Sequence, residues 1–267
     1  MDNPQSANKF IFNLLLYQIF ISVILNRLPK SEYSFVYFPL ISLFIPIMIY
    51  FFSARPKISQ VLPTKKSSKK NLCLLILFAF SIQPVMEIFS MLSAIFAKNP
   101  TQNLTVTLET KPLWLIIFSM AIMPAIFEEI IFRGIILSGY RNVNRRLAFF
   151  LNGLIFAAIH LNFQQFLYAM MMGIIFSVLV FYTQSIFSSM LVHFIFNATQ
   201  LIFAFYKLEF SNIFIFGMIF APISFFLFRA IIKNCTIEMN GNEKGEKILT
   251  LPLVLYFAFA FYIMYFN

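Results

Sequence analysis

Residues 113–138 read LWLIIFSMAIMPAIFEEIIFRGIILS, a run of 26 residues whose only ionisable side chains are Glu128, Glu129 and Arg133. As a helix rising about 1.5 Å per residue, such a run outreaches the roughly 30 Å hydrocarbon core of a bilayer. It therefore predicts a transmembrane helix that carries three charges into lipid. Comparable apolar stretches fall at about 10–25, 35–53, 71–97, 147–160, 166–183, 188–206, 213–228 and 249–266. The whole chain is 60% hydrophobic and 11% charged, with mean hydropathy +0.83, whereas soluble domains are roughly 45–50% apolar and about 25% charged. The reading is an all-α, polytopic transmembrane helical bundle of eight or nine spans, forming one membrane domain over residues 1–267. The count stays open because the stretch 147–160 is short enough to join a re-entrant turn. The first stretch lacks a small-residue cleavage signature and reads as a retained span. Cys73 and Cys235 form no CxxC pair, so neither a disulfide framework nor a metal ribbon is expected.

The net charge of +10 would suggest nucleic acid in a soluble protein. Its placement points instead to a bilayer. Arg55, Lys57, Lys65, Lys66, Lys69 and Lys70 share the loop after the second stretch, and Arg141, Arg145 and Arg146 follow the fourth. Lys/Arg-rich loops stay on the cytoplasmic side. Nine spans from a cytoplasmic N-terminus also place Arg229, Lys233, Lys244 and Lys247 inside, leaving Arg27, Lys30, Lys98, Lys111 and Lys207 on the other face. The partners expected are lipid and a membrane-associated substrate, not nucleic acid. The polar segment 234–247 reads as a loop, and the 38 phenylalanines, spread over all spans, read as lipid-facing and interhelical packing.

Ionisable groups inside spans cost about 2.5–3.5 kcal/mol or more at mid-bilayer and mark function. Here they are Glu87, Glu128, Glu129, Arg133, His160 and His193, with Asn152 and Asn197 nearby. Glu129 and Arg133, at i and i+4, share a helix face in the favourable order for an ion pair. Glu128 projects about 100° away. With Glu129 neutralised by Arg133, Glu128 is left as a carboxylate able to serve as general base for water. The alternative is that all three form a charge cluster that only fixes helix packing. Phe156 and His160, and likewise His193 and Asn197, are stacked on one face of their helices. Helix rise puts Glu128 and His160 at one level, each roughly 20 Å from the basic loop. His193 is expected nearer the cytoplasm and joins them only if its helix begins deeper or tilts. Glu87, three residues after Pro84, is expected either to line a cavity or to bond backbone freed by the proline.

The three motifs Glu-Glu-x-x-x-Arg (128–133), Phe-x-x-x-His (156–160) and His-x-x-x-Asn (193–197), in that order over about residues 113–206, resemble those of the CPBP family of intramembrane proteases. That family includes the type II CAAX prenyl endopeptidases and bacteriocin-processing and immunity proteins. The resemblance implies a helical membrane fold with a polar cavity opening toward the cytosol, in which water is activated for peptide-bond hydrolysis. It implies Glu128 as general base, His160 holding or polarising the water, and His193 and Asn197 stabilising the oxyanion. Glu129 and Arg133 would be the supporting pair, with Phe156 beside them.

Glu128, His160 and His193 could also supply three ligands to zinc. No His-Glu-x-x-His helix is present, and a glutamate-and-histidine mechanism without an obligatory metal is favoured. The expected activity is that of an intramembrane endopeptidase acting on a membrane-associated peptide or protein. The alternatives are a non-catalytic bacteriocin-immunity or scaffold protein of the same fold and, further off, a transporter, although no inverted repeat is visible. Serine and aspartyl chemistries fit poorly, since the chain's one aspartate is Asp2 and no Gly-x-Ser-x-Gly occurs. Composition points to a bacterial plasma membrane. The substrate, prenylated or not, is not legible.

Overall fold

A computed structural model describes residues 3–27, 34–95, 110–208, 212–235 and 246–266. Lys30, Lys98, Lys244 and most of the segment 234–247 lie outside these residues, as do 96 and 97 of the third stretch. Each of the nine apolar stretches is helical. We number them α1 (Pro4–Arg27), α2 (Val36–Ala54), α3 (Lys69–Ala94), α4 (Leu113–Gly139), α5 (Arg145–Ala158), α6 (Phe163–Thr183), α7 (Ile186–Phe205), α8 (Ile213–Lys233) and α9 (Leu251–Phe266). No strand occurs among the described residues apart from an isolated bridge between Thr64 and Ser185.

Seven of these helices are long and apolar enough to cross a membrane, and the protein is an integral membrane protein. The two others are shorter. α5 has 14 residues, about 21 Å of helix, which falls short of a roughly 30 Å core. α9 has 16. Large apolar side chains cover the outside, with Phe20, Phe52, Phe226 and Phe266 each at least 60% exposed. In water this surface would be an aggregation liability, and in lipid it is the solvated face.

The inner faces follow helical spacing. Ala7, Ile11, Leu14 and Leu15 of α1 pack in one core with Leu253, Tyr256, Ala260 and Met264 of α9. Leu75, Phe78, Ala79 and Ile82 of α3 form a second core with Phe176 of α6, Val192 and Phe196 of α7 and Ile231 of α8. Helix starts are capped locally. Ser68 accepts from the Asn71 amide at 3.2 Å, Asn144 from Leu147 at 3.2 Å, and Asn162 from Gln164 at 2.8 Å, which satisfies donors that a helix N-terminus leaves free.

The two ends of the bundle differ in charge. At one end the loop 55–70 meets the α6–α7 turn, with the Lys65 amide donating to the Gln184 carbonyl at 2.9 Å and the Ile186 amide to Pro63 at 2.8 Å. The Arg145 guanidinium stands 4.4 Å from the ring centre of Phe181. Asn142 bonds Glu246, and Asn8 bonds the Ile248 carbonyl and Thr250. The described residues of the loops expected to be basic and cytoplasmic thus gather at this end, here called the basic end. The opposite end is formed by the α1 terminus at Arg27, Thr110 and Lys111 before α4, the α5–α6 turn, and the α7 terminus with Lys207.

α5 and α6 form an antiparallel hairpin closed by Leu161, whose left-handed backbone (φ 51°) reverses the chain directly after His160. Two glycines allow the close approach. A β-carbon on Gly173 would lie 2.7 Å from the Gly153 Cα, and one on Gly153 would lie 2.7 Å from the Met170 carbonyl oxygen. Backbone is the obstacle in each case, so the helices must separate. Gly173→Ala is expected to cost about 1–3 kcal/mol through overpacking, read as a lower unfolding temperature in detergent, together with reduced activity. An unchanged temperature would show that the hairpin is looser than described.

Candidate active site

The charged stretch of α4 is not a uniform α-helix. It widens into π-helical turns over Phe118–Ile122 and Ile130–Ile136, on either side of the α-helical Met123–Glu129. Such turns often accompany functional sites, because they reorient side chains at small backbone cost. Glu128 and Glu129 then face different surroundings. Glu129 is fully buried, while the Glu128 side chain keeps 17% exposure and lines a cavity.

Glu129 is the hub. Its Oε1 accepts from Arg133 Nη1 at 3.0 Å and pairs with His193 Nδ1 at 2.9 Å. Arg133, 2% exposed, also donates through Nη2 to the Gly173 carbonyl at 3.2 Å. A charge this deep is tolerated because it is paired and hydrogen-bonded. Aromatic faces surround it, with its guanidinium carbon 4.3 Å from the ring centre of Phe156 and 4.9 Å from that of Phe176. Phe176 also stacks on His193 at 5.1 Å, and Phe156 presents an edge-to-face contact to His193 at 6.0 Å and to His160 at 5.0 Å. These rings clamp both imidazoles, so their nitrogens have defined directions.

Each histidine has its Nδ1 committed to a partner within the bundle. His193 uses Nδ1 on Glu129, and its Nε2 stands 3.9 Å from Glu128 Oε2. His160 uses Nδ1 on the Phe156 carbonyl at 2.7 Å. As that carbonyl can only accept, Nδ1 carries the proton and a neutral His160 has Nε2 as an acceptor. Asn197 donates from Nδ2 to the Met120 carbonyl, in the first π-helical turn, at 3.4 Å. Glu128, His160, His193 and Asn197 all line one cavity of about 1940 Å³, larger than the roughly 300–1,000 Å³ typical of small-molecule sites. Among the described residues no three His, Cys, Asp or Glu side chains are grouped so as to hold a metal ion. Glu128, His160 and His193 do not form a closed ligand set in this arrangement.

His193 thus joins the site despite lying only seven residues into α7. The cause is the loop before α3, which folds onto the bundle. Val61 is buried, Leu62 sits against Gly134, and the loop backbone pairs with Ser185. α7 consequently begins beneath that loop and not at the surface. Glu87 lies on the cavity wall. The backbone near Pro84 is instead served by Gln83, whose Nε2 donates to Ala79 and Phe196 carbonyls at 3.2 and 3.5 Å.

Phe176 and Gly173 escaped the sequence reading, and Asn152 was noted there without a role. Phe176 is one of 38 phenylalanines and has no distinguishing neighbour. Gly173 acts through its carbonyl. Asn152 donates to the Phe132 carbonyl at 2.8 Å and accepts from Ser177 at 3.0 Å, tying α4 to α5 and α6. Asn152 stands out in the sequence as an amide within an apolar helix, but its partners on α4 and α6 do not.

The described lining of the cavity extends to the end opposite the basic loops. Its outer walls include Asn26, Lys111, Gln165, Ala204 and Ile263, all at helix ends of that side. Toward the basic end, Phe132 lines the cavity, and Ile136 and Tyr140 beyond it are at most 1% exposed.

Two oriented imidazoles and an accessible carboxylate thus line one cavity within an all-helical membrane protein. Residues 110–199 match the Rce1-like family, described as type II CAAX prenyl endopeptidase Rce1-like. This match, over about a third of the chain, supports a CPBP-family intramembrane protease. No curated protein matches the chain, and no solved structure does.

Proposed function

We propose that the protein is an intramembrane endopeptidase that hydrolyses a peptide bond of a membrane-associated peptide or protein with water activated by Glu128. The observation that carries this reading is the division of labour between adjacent carboxylates. Glu129 is sealed against Arg133 and His193, while Glu128 faces the cavity beside His193 Nε2. The first can only position, and the second can exchange protons.

In the proposed reaction a water held between Glu128 and His160 Nε2 attacks the scissile carbonyl carbon. Glu128 takes one proton of that water as the C–O bond forms. The carbonyl oxygen becomes an oxyanion and is stabilised by the Asn197 amide N–H and by His193 in its doubly protonated form, whose Nδ1–H stays on Glu129 while its Nε2–H faces the oxygen. Collapse breaks the C–N bond, and the proton held by Glu128 passes to the departing amine. Products are one carboxylate and one amine, and Glu128 returns ionised. Glu129 and Arg133 hold His193 in place, and Phe156 and Phe176 keep both rings from turning. No step is routed through a metal.

Comparing peptide termini in membranes bearing the native protein or Glu128→Gln tests this reading and names the substrate. Termini present with the native protein and missing with the variant are expected, and identical termini would overturn the proposal. Asn197→Ala is expected to lower kcat about 10²–10³-fold with little change in KM, as loss of one oxyanion donor does. A loss confined to KM would reassign Asn197 to substrate binding. The N-terminus is proposed to be cytoplasmic and the membrane to be a bacterial plasma membrane, on the strength of the loop charges and composition.

A further inference from the structure

Among the described residues, Glu87 is the cavity carboxylate that the proposed reaction leaves idle. It sits half-buried on α3, on the wall of the same cavity as Glu128. An ionisable group within a span is costly unless a partner or a polar cavity receives it, and so marks a role. Glu129 has Arg133 and His193 as partners. Glu87 has no counter-charge among the described residues, and Lys111, on the same cavity, is not paired with it. Gln83, one helical turn away, is taken up elsewhere. Its Oε1 accepts from Gln200 at 2.9 Å and its Nε2 donates to the Ala79 carbonyl. Nor does Pro84 explain the charge, because an ionised carboxylate and a carbonyl freed by proline both only accept.

Its place relative to the proposed base follows from the helices. Glu87 lies 18 residues from the start of α3 at the basic end, and Glu128 lies 11 residues from the end of α4 at that same end. At about 1.5 Å per residue, Glu87 is roughly 10 Å further along the bundle. An extended peptide covers that distance in about three residues. Tyr168 of α6 lines the stretch between and is within electrostatic range of both carboxylates. We infer that Glu87 forms a subsite for a cationic group of the substrate, an ammonium or guanidinium, about three residues from the bond to be cut. The inference rests on the peptidase reading for the identity of that bond. A half-buried carboxylate is screened less than one on an open surface, and a cation reaching it gains a charge-assisted hydrogen bond. Ser90, Tyr168 and Gln200 also line the cavity and offer neutral oxygens to the remaining N–H groups. An acidic residue at the same position meets like charge and is rejected.

The test separates binding from cleavage. Full-length Glu128→Gln protein in nanodiscs of uncharged lipid is offered a random decapeptide library, once with acetylated and once with free amino ends, and the bound pool is sequenced by mass spectrometry against empty nanodiscs. Peptides with Lys or Arg are expected to be recovered about tenfold or more over those with Gln at the same position. Adding Glu87→Gln should abolish that preference, and adding Glu87→Lys should turn it toward Asp and Glu. A preference in both libraries assigns the subsite to a side chain, and one confined to free amino ends assigns it to the terminal ammonium. Equal recovery of Lys and Gln peptides, or a Lys preference that persists in Glu87→Gln, would overturn the inference. With protein retaining both Glu87 and Glu128, the cleaved pool should carry the cation about three residues from the cut. A Glu87-dependent preference without any cleavage by that protein would leave the subsite standing and remove the peptidase reading.

Discussion

Glu128→Gln is expected to slow peptide hydrolysis by about 10²–10⁴-fold, the usual contribution of a general base, and to leave the unfolding temperature in detergent unchanged. The amide has the shape of the carboxylate but cannot take a proton from water. Little structure depends on the lost charge, because the Glu128 side chain is partly exposed to the cavity and its nearest ionic neighbour, His193 Nε2, is 3.9 Å away. That separation is beyond a hydrogen bond, so no buried donor is stranded by the change. The measurement is single-turnover cleavage by purified protein in lipid, with products identified by mass, beside a thermal melt. Retained cleavage would transfer the role of base to another group. A lowered melting temperature would mean that Glu128 is structural.

The second large effect is one of stability. Arg133→Met is expected to destabilise the protein by about 3–5 kcal/mol, because it leaves Glu129 as an uncompensated buried charge. The partner change Glu129→Leu should cost a similar amount by stranding Arg133. Combined, Glu129→Leu and Arg133→Met remove both charges and replace them with apolar volume, which is often neutral once a buried pair is gone entirely. The double variant should regain most of the melting temperature. It should not regain activity, because His193 Nδ1 has then lost the carboxylate that orients its ring. A double-mutant cycle on melting temperature and turnover separates the two outcomes. Recovery of both would show that Glu129 serves packing alone and does not position His193. Failure to recover either would point to the Arg133 bond to the Gly173 carbonyl as the dominant support.

Much of the site was legible because lipid makes polar residues conspicuous. In a soluble protein two glutamates, an arginine and two histidines would be unremarkable, but within apolar spans each must find a partner or a cavity. The Glu129–Arg133 pair follows from i, i+4 spacing, and it occurs at 3.0 Å. The separate fate of Glu128 follows from the 100° step of a helix. What local spacing could not supply was that Glu129 also grips His193 on α7, since the two lie 64 residues apart. The aromatic clamp was hidden for a different reason. Phe176 differs from other phenylalanines only in what it touches.

From the chain alone, hydropathy and helical periodicity determine nine apolar helices, the loops that carry the positive charge, and the few side chains that lipid would reject. These are properties of individual segments, and a segment's own residues suffice to state them. Depth, direction and closure belong to the tertiary structure. The depth of His193 depends on a loop folded over the start of α7, the hairpin of α5 and α6 depends on two glycines meeting, and the cavity depends on which helices line it. Each of these arises where distant segments meet, and contacts across the bundle have no signature in the order of residues along it.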